Sequence, residues 1–279
     1  MKKIAVGFAA VMFSTMVLVP SEATTPKALV IIDSYFDSKV SAPNIRCIVV
    51  DTNQPCTDVI TKDPSVIDMK TGAKGWDALK HGNMMVEVSK RQANLPSIIL
   101  LRASATPSQG TNLIRGKFSA SVHDVKDNNL LQALTWVNNN SNLVGAVSTS
   151  IFYDYNDYNR VKNPTCQQRG GKLDSSVSAL IATLKSKNIP VFAATGNAPK
   201  TRVDYPACIA DTVSVTSPLN VSDAFTDVNA SLDNDRGVFN FNSPVFGLIT
   251  QTTSTVTVAI ATQYIATGSF PGKVAKVNP

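Results

Sequence analysis

The sequence predicts an α/β fold, a three-layer sandwich whose central sheet is mostly parallel. Two observations lead there. Short, unbroken apolar runs end in a polar residue, as strands buried on both faces do. Between them lie stretches with helical spacing, and strands alternating with helices build parallel sheets. Right-handed crossovers would then place helices on both faces. Across the 279 residues, 43% are hydrophobic, enough for a large core without staples.

The amino end reads as an export signal, residues 1–23. Lys2 and Lys3 precede an apolar run from Ile4 to Val19, then Pro20-Ser21-Glu22-Ala23, with small residues suiting cleavage after Ala23. That run is shorter than the roughly 20 residues needed to span a bilayer, so no stable membrane anchor is expected after cleavage. The protein is expected to be secreted or periplasmic, with residues 24–279 forming one domain. The net charge of +6 falls to +5 on losing Lys2, Lys3 and Glu22. No dense basic run or aromatic-basic ribbon argues for nucleic acid.

Lys27 to Asp33 (KALVIID) is the first strand candidate, followed by Ile45–Val50, Ile98–Leu101, Leu143–Thr149, Pro190–Ala194 and Thr212–Val215. His81–Arg91 carries Met84, Met85 and Val88 at helical spacing. Leu130, Leu131, Leu134 and Val137 share a helical face, as do Leu173, Val177, Leu180, Ile181 and Leu184. The latter helix ends near Lys185–Lys187, where cations complement the dipole. Thr255–Ala266, small and apolar, suits a buried helix opened by Ser254. Polar stretches at 103–111, 153–171 and 217–236 read as loops. There is no internal repeat and no dividing linker.

Cys47, Cys56, Cys166 and Cys208 all follow the signal. An even count in an exported chain favours disulfides over zinc, since there is no CxxC pair and histidine is scarce. Sequence alone does not choose among the three pairings. Cys47–Cys56 and Cys166–Cys208 are favoured because each joins segments flanking one loop. No metal or cofactor is expected, and no Walker-type or dinucleotide-binding glycine pattern is present.

Four candidate site residues fall in the order Asp33, His81, Asn197, Ser254. They lie at strand ends or helix starts, where open parallel sheets gather active groups. They supply an acid, a base, an oxyanion donor and a nucleophile. Taken singly, Asp33 is an ordinary turn or cap residue, Gly196-Asn197 an ordinary turn pair and Ser254 an ordinary helix cap. His81 has the best individual case. The second histidine, His123, lies in a polar stretch and reads as a surface residue.

At these residues the chain resembles the subtilase (subtilisin-like) serine proteases. VIIDSY is similar to the family's Asp motif and HGNMMVEV to its His motif. SALIATLKSKNIPVFAATGN is similar to the segment leading to the family's Asn. Tyr205-Pro206-Ala207 with DTVSVTS resembles the strand that follows, and TTSTVTVAIATQYIA the serine helix. The resemblance implies an endopeptidase with Ser254 as nucleophile, His81 as general base, Asp33 as its orienting carboxylate and Asn197 as oxyanion donor. It also implies a protein or peptide substrate bound as an added strand along Ser148–Phe152, with Ser148, Ser150 and Phe152 lining the site.

Thr252 stands where the family has Gly before its Thr-Ser pair, and Val258 where it has Pro. Asn83-Met84 replaces Thr-His, while Phe152 and Tyr35 each replace a Gly. A divergent, trimmed member is therefore expected. Two alternatives remain: an impaired relative that binds peptide or protein, and an unrelated α/β binding protein in which Asp33, His81 and Ser254 lie far apart. Oligomeric state and cleavage specificity are left open.

Overall fold

In a computed structural model of the protein, the residues described are 27–33, 36, 42–57, 81–103, 129–151, 165–195, 203–215, 241–243, 247–249 and 253–269. The export-signal segment lies outside them, as do Asn197, Phe152, Thr252 and His123.

The first apolar run becomes β1 (Ala28–Asp33), buried at every position. β2 (Ile45–Val49), β4 (Ile98–Arg102), β5 (Val144–Thr149), β6 (Val191–Ala194) and β7 (Val213–Val215) follow the expected strands to within a residue at either end. Each is parallel to its neighbours within the sheet order β3-β2-β4-β1-β5-β6-β7. β3 (Gln54–Pro55) is the antiparallel exception, an edge hairpin partner of β2 closed by Cys47–Cys56. Its two exposed residues carry no apolar signal, so periodicity did not reveal it. A further hairpin pairs β8 (Phe241–Ser243) with β9 (Gly247–Ile249).

Helices cover both faces. α1 (His81–Gln92) and α5 (Thr253–Thr267) bury Met85, Val88, Val256 and Ile260 against Leu29, Ile31, Ile98 and Leu100. α2 (Asn129–Asn139) and α4 (Asp174–Ser186) pack Leu134, Val137, Val177 and Ile181 on the opposite face, against Val30, Ile32, Ile99 and Leu101. The two sets alternate along each strand, as the period of two requires.

α5 is buried on every side from Thr253 to Thr262. Its threonines tolerate this because hydroxyls return to the preceding turn: Thr257 Oγ1 donates to the Thr253 carbonyl at 2.6 Å and Thr262 Oγ1 to that of Val258 at 2.7 Å.

The expected loop 153–171 holds a short helix, α3 (Cys166–Gly170), which runs through a 3₁₀ turn into α4. Thr165 and Gln168 form a reciprocal capping box there, a local signal that the polar composition masked. Cys166–Cys208 fastens α3 to the turn carrying Tyr205 and the cis Pro206. Both favoured disulfide pairings are therefore formed.

Burial, reinforced by the neighbouring Asp174 carboxylate, pushes the Tyr205 phenol well above its usual range. Gly170 lies against that ring, and a Cβ there would sit 2.6 Å from Tyr205 Cε2 and 2.8 Å from Asp174 Cβ. Gly170→Ala should therefore lower stability by about 1–3 kcal/mol, outweighing alanine's helix preference of up to about 1 kcal/mol. Urea unfolding of the variant checks the sign.

Candidate active site at the carboxyl edge of the sheet

From β1 the chain passes to β2 and β3, returns to β4 beside β1, and then continues on the other side through β5, β6 and β7. β1 is thus where strand order reverses, and ligand crevices form beyond the carboxyl ends of strands at such a point. Asp33 closes β1 at that place. It is 2% exposed, and it continues the Leu29, Ile31 series facing α1 and α5.

Two helices bring their amino ends to the same edge. α1 leads through Ala93–Ser97 to the start of β4, and the Ser97 carbonyl accepts from Leu29 N–H at the start of β1. Its carboxyl end therefore lies at the amino edge of the sheet and His81 at the carboxyl edge. The end of α5 meets the start of β5, where Gly145 has no Cβ to collide with Ile265 Cδ1. A shallow cavity of about 520 Å³ at that amino edge is lined by Lys27, Leu95, Gly145, Asn188 and Tyr264. Ser254 accordingly sits at the opposite, carboxyl edge.

The helices run parallel and in register. Thr262 Oγ1 and Ser89 Oγ are hydrogen-bonded at 2.9 Å, and Gln263 Nε2 donates to Gln92 Oε1 at 3.1 Å. Eight residues back from Ser89 is His81, and eight back from Thr262 is Ser254. At 1.5 Å per residue both steps cover about 12 Å, so the two backbones stand at one level. The His81 side chain lies outside the described residues. Ser254 is buried, 4% exposed, in the first turn of α5. Backbone N–H groups there have no intrahelical acceptor.

β5 supplies Ser148, with Ser150 just beyond its end on the same side, and among the described residues neither Oγ has a hydrogen-bond partner. The strand-addition expectation narrows here. Ser148 and Thr149 pair with Ile31 and Ile32 of β1 on one side and with Phe192 and Ala193 of β6 on the other. The Ser150 N–H reaches the Ile32 carbonyl at 3.3 Å. Any added strand must pair beyond these residues.

On β6, the chain leaves the sheet at Thr195, whose N–H bonds the Val215 carbonyl at 3.0 Å and whose carbonyl accepts from Asp204 at 3.1 Å. Thr195 and Asp204, which flank the segment containing Asn197, thus meet at the carboxyl rim.

Sequence reasoning missed Arg102. The strand was expected to end at Leu101, but it includes Arg102, 3% exposed and directly opposite Asp33. The signal was present, since a polar residue closing an apolar run is the grammar that singled out Asp33.

No protein-family model matches the sequence, and no curated protein matches it. Solved structures do. The chain is similar to the PatG macrocyclase in complex with peptide (TM-score 0.50, 14% identity, covering 88% of this chain and 78% of that one). It is also similar to the epidermin leader peptide processing serine protease of Staphylococcus aureus (TM-score 0.47, 15% identity, 86% and 64%). A third is the psychrophilic subtilisin-like protease Apa1 of Pseudoalteromonas sp. AS-11 (TM-score 0.37, 15% identity), where the match covers 69% of this chain but 36% of that one. The seven-stranded, mostly parallel sheet between two helical layers is the expected three-layer α/β fold, and the chain shares it with the PatG macrocyclase.

Proposed function

We propose that the chain is an exported serine endopeptidase, with residues 1–23 as signal peptide and 24–279 as one peptidase domain. Ser254 attacks the acyl carbon of a peptide bond. His81 accepts the hydroxyl proton and delivers it to the leaving amine, then activates the water that releases the acyl group. Asp33 holds the imidazole in the required tautomer and stabilises the imidazolium. The oxyanion is met by the Asn197 amide and the backbone N–H of Ser254, which the dipole of α5 assists. Substrate is protein or peptide, lying past Ser148 and Ser150 toward Phe152.

The observation that carries this reading is the common level of His81 and Ser254 on parallel helices, beside the end of β1 that bears Asp33. The reading of an unrelated binding protein has no reason to produce that coincidence or a subtilisin-like fold. The two disulfides suit an oxidising compartment, and among the described residues no helix is long and apolar enough to cross a membrane.

Reaction of purified mature protein with a fluorophosphonate, followed by peptide mapping, tests the proposal. Modification at Ser254 is expected, because only an activated serine reacts. Modification elsewhere overturns the nucleophile. No modification of folded protein overturns the activity and leaves the impaired, peptide-binding relative.

A further inference from the structure

We propose that the groove between the β2–β3 hairpin and the end of α2 binds the carboxylate of a peptide, gripped by Arg46. This goes beyond the proposed function and does not depend on it, since α2 covers the face of the sheet opposite α1 and α5. The groove holds about 450 Å³, and its lining includes Arg46, Asn53, Pro55, Trp136, Asn139 and Asn140. Arg46 is an exposed residue of β2 between the buried Ile45 and Cys47. Its guanidinium lies over the Trp136 ring, 5.9 Å from the ring centroid. The ring attracts the guanidinium through its charge and leaves the N–H donors for a partner. The fork of those donors matches a carboxylate.

Trp136 is itself fixed. Its indole Nε1 donates to Asn53 Oδ1 at 3.1 Å, and the side chain packs against the core on the α2 side. Asn53 stands in the left-handed region at φ 53°, with its N–H on the Val49 carbonyl at 2.8 Å. Because its Oδ1 serves the indole, its Nδ2 is the donor it offers to the groove. Asn139, exposed at the end of α2, adds a second amide. Asn140 is turned the other way: its Nδ2 donates to the Trp136 carbonyl at 2.8 Å, which leaves Oδ1 as an acceptor. The lining thus combines a cation, amide donors and an amide acceptor, the complement of a carboxylate beside a peptide N–H.

Charge favours that occupant. Among the described residues no acid lines the groove, and the chain carries +6 overall. Asp51 shares a turn with Asn53 but is not part of the lining. The carbonyls that close α2 would repel an anion if they stood open. They are covered: the Asn140 N–H reaches the Trp136 and Val137 carbonyls at 3.0 and 3.2 Å. Lys187 Nζ lies 3.4 Å from the Asn138 carbonyl and 2.8 Å from its Oδ1, adding a second positive charge at that end of the helix. A neutral sugar ring fits less well, because Trp136 is packed on the core and Arg46 already lies over its ring.

Tryptophan emission of the mature protein, titrated with three short blocked peptides, tests the site. Acetyl-glycylglycine carries a terminal carboxylate, acetyl-aspartyl-glycinamide a side-chain carboxylate, and acetyl-glycylglycinamide neither. A saturable change is expected with a carboxylate and none with the amide, and the carboxylate that binds identifies the source. The change is expected to vanish in Trp136→Phe, which leaves Trp76 as the chain's other tryptophan. Arg46→Gln is expected to weaken binding at least about tenfold, as loss of a charge-assisted hydrogen bond does. Arg46→Lys should fall between, since it keeps the charge and loses the fork. Should Arg46→Gln fail to fold, Asn53→Gly supplies the second reading. Glycine suits φ 53° and removes the amide, so binding should weaken several-fold while the backbone holds. No saturable change with either carboxylate, equal binding of the amide, a change that survives in Trp136→Phe, or unaltered affinity in the folded Arg46 or Asn53 variant overturns the site. Fluorophosphonate labelling plays no part in these outcomes, so they stand whether or not Ser254 is an activated serine.

Discussion

Ser254→Ala should remove essentially all peptide hydrolysis and all fluorophosphonate labelling, with His81→Ala nearly as severe. Nucleophile and base act as one unit, so losing either forfeits about as much as losing both, a factor on the order of 10⁶ in turnover. Asp33→Asn should cost less, about 10⁴, because the amide stabilises the wrong imidazole tautomer while leaving the nucleophile in place. A stability measurement beside the kinetics distinguishes chemistry from folding. Ser254 is a small residue in a helix's first turn, so its variant should unfold within about 1 kcal/mol of wild type. Asp33→Asn should unfold more easily, since it alters a carboxylate that is 2% exposed and held by interactions within the fold. The expected pattern is thus crossed: Ser254→Ala is worse for activity and Asp33→Asn worse for stability. Comparable loss of stability in both would mean that the activity data report unfolding.

The sheet was legible because burial on both faces leaves little freedom in composition. ALVIID and IILLR are apolar at almost every position, and their order along the chain dictates parallel pairing once helices intervene. α1 was legible only weakly, since Met84, Met85 and Val88 are few and its first-turn residues are polar or glycine. β3 and α3 were not legible by periodicity. One is two exposed residues held by a disulfide, and the other is a single turn held by a capping box.

The candidate site was proposed from an order of residue types. Its geometry was not legible, because the level shared by His81 and Ser254 depends on the contact of Ser89 with Thr262, 173 residues apart in sequence. Arg102 escaped for a similar reason. Its place opposite Asp33 comes from the register of two strands, and register is a property of the paired sheet rather than of either strand alone.

The two disulfides should differ in what they protect. Cys166–Cys208 closes a separation of 42 residues and Cys47–Cys56 one of 9. On chain entropy, removing the first costs about 4 kcal/mol and the second about 2.6 kcal/mol. For a domain of this size the larger loss corresponds to a melting temperature lower by roughly 10 °C. Position sharpens the contrast. Cys47–Cys56 clamps an edge hairpin, whose loosening frees two exposed residues of β3.

Cys166–Cys208 holds α3 against the turn at Tyr205, and that turn receives the chain returning from Asn197 through the Asp204–Thr195 hydrogen bond. Paired alanine substitutions should therefore separate the effects. The 47/56 variant should label with fluorophosphonate at close to the wild-type rate despite its lower stability. The 166/208 variant should lose both stability and labelling rate, even well below its melting temperature, because the Asp204–Thr195 contact flanking the proposed oxyanion donor is no longer held. Equal labelling in the two folded variants would show that the return segment holds its place without the bridge.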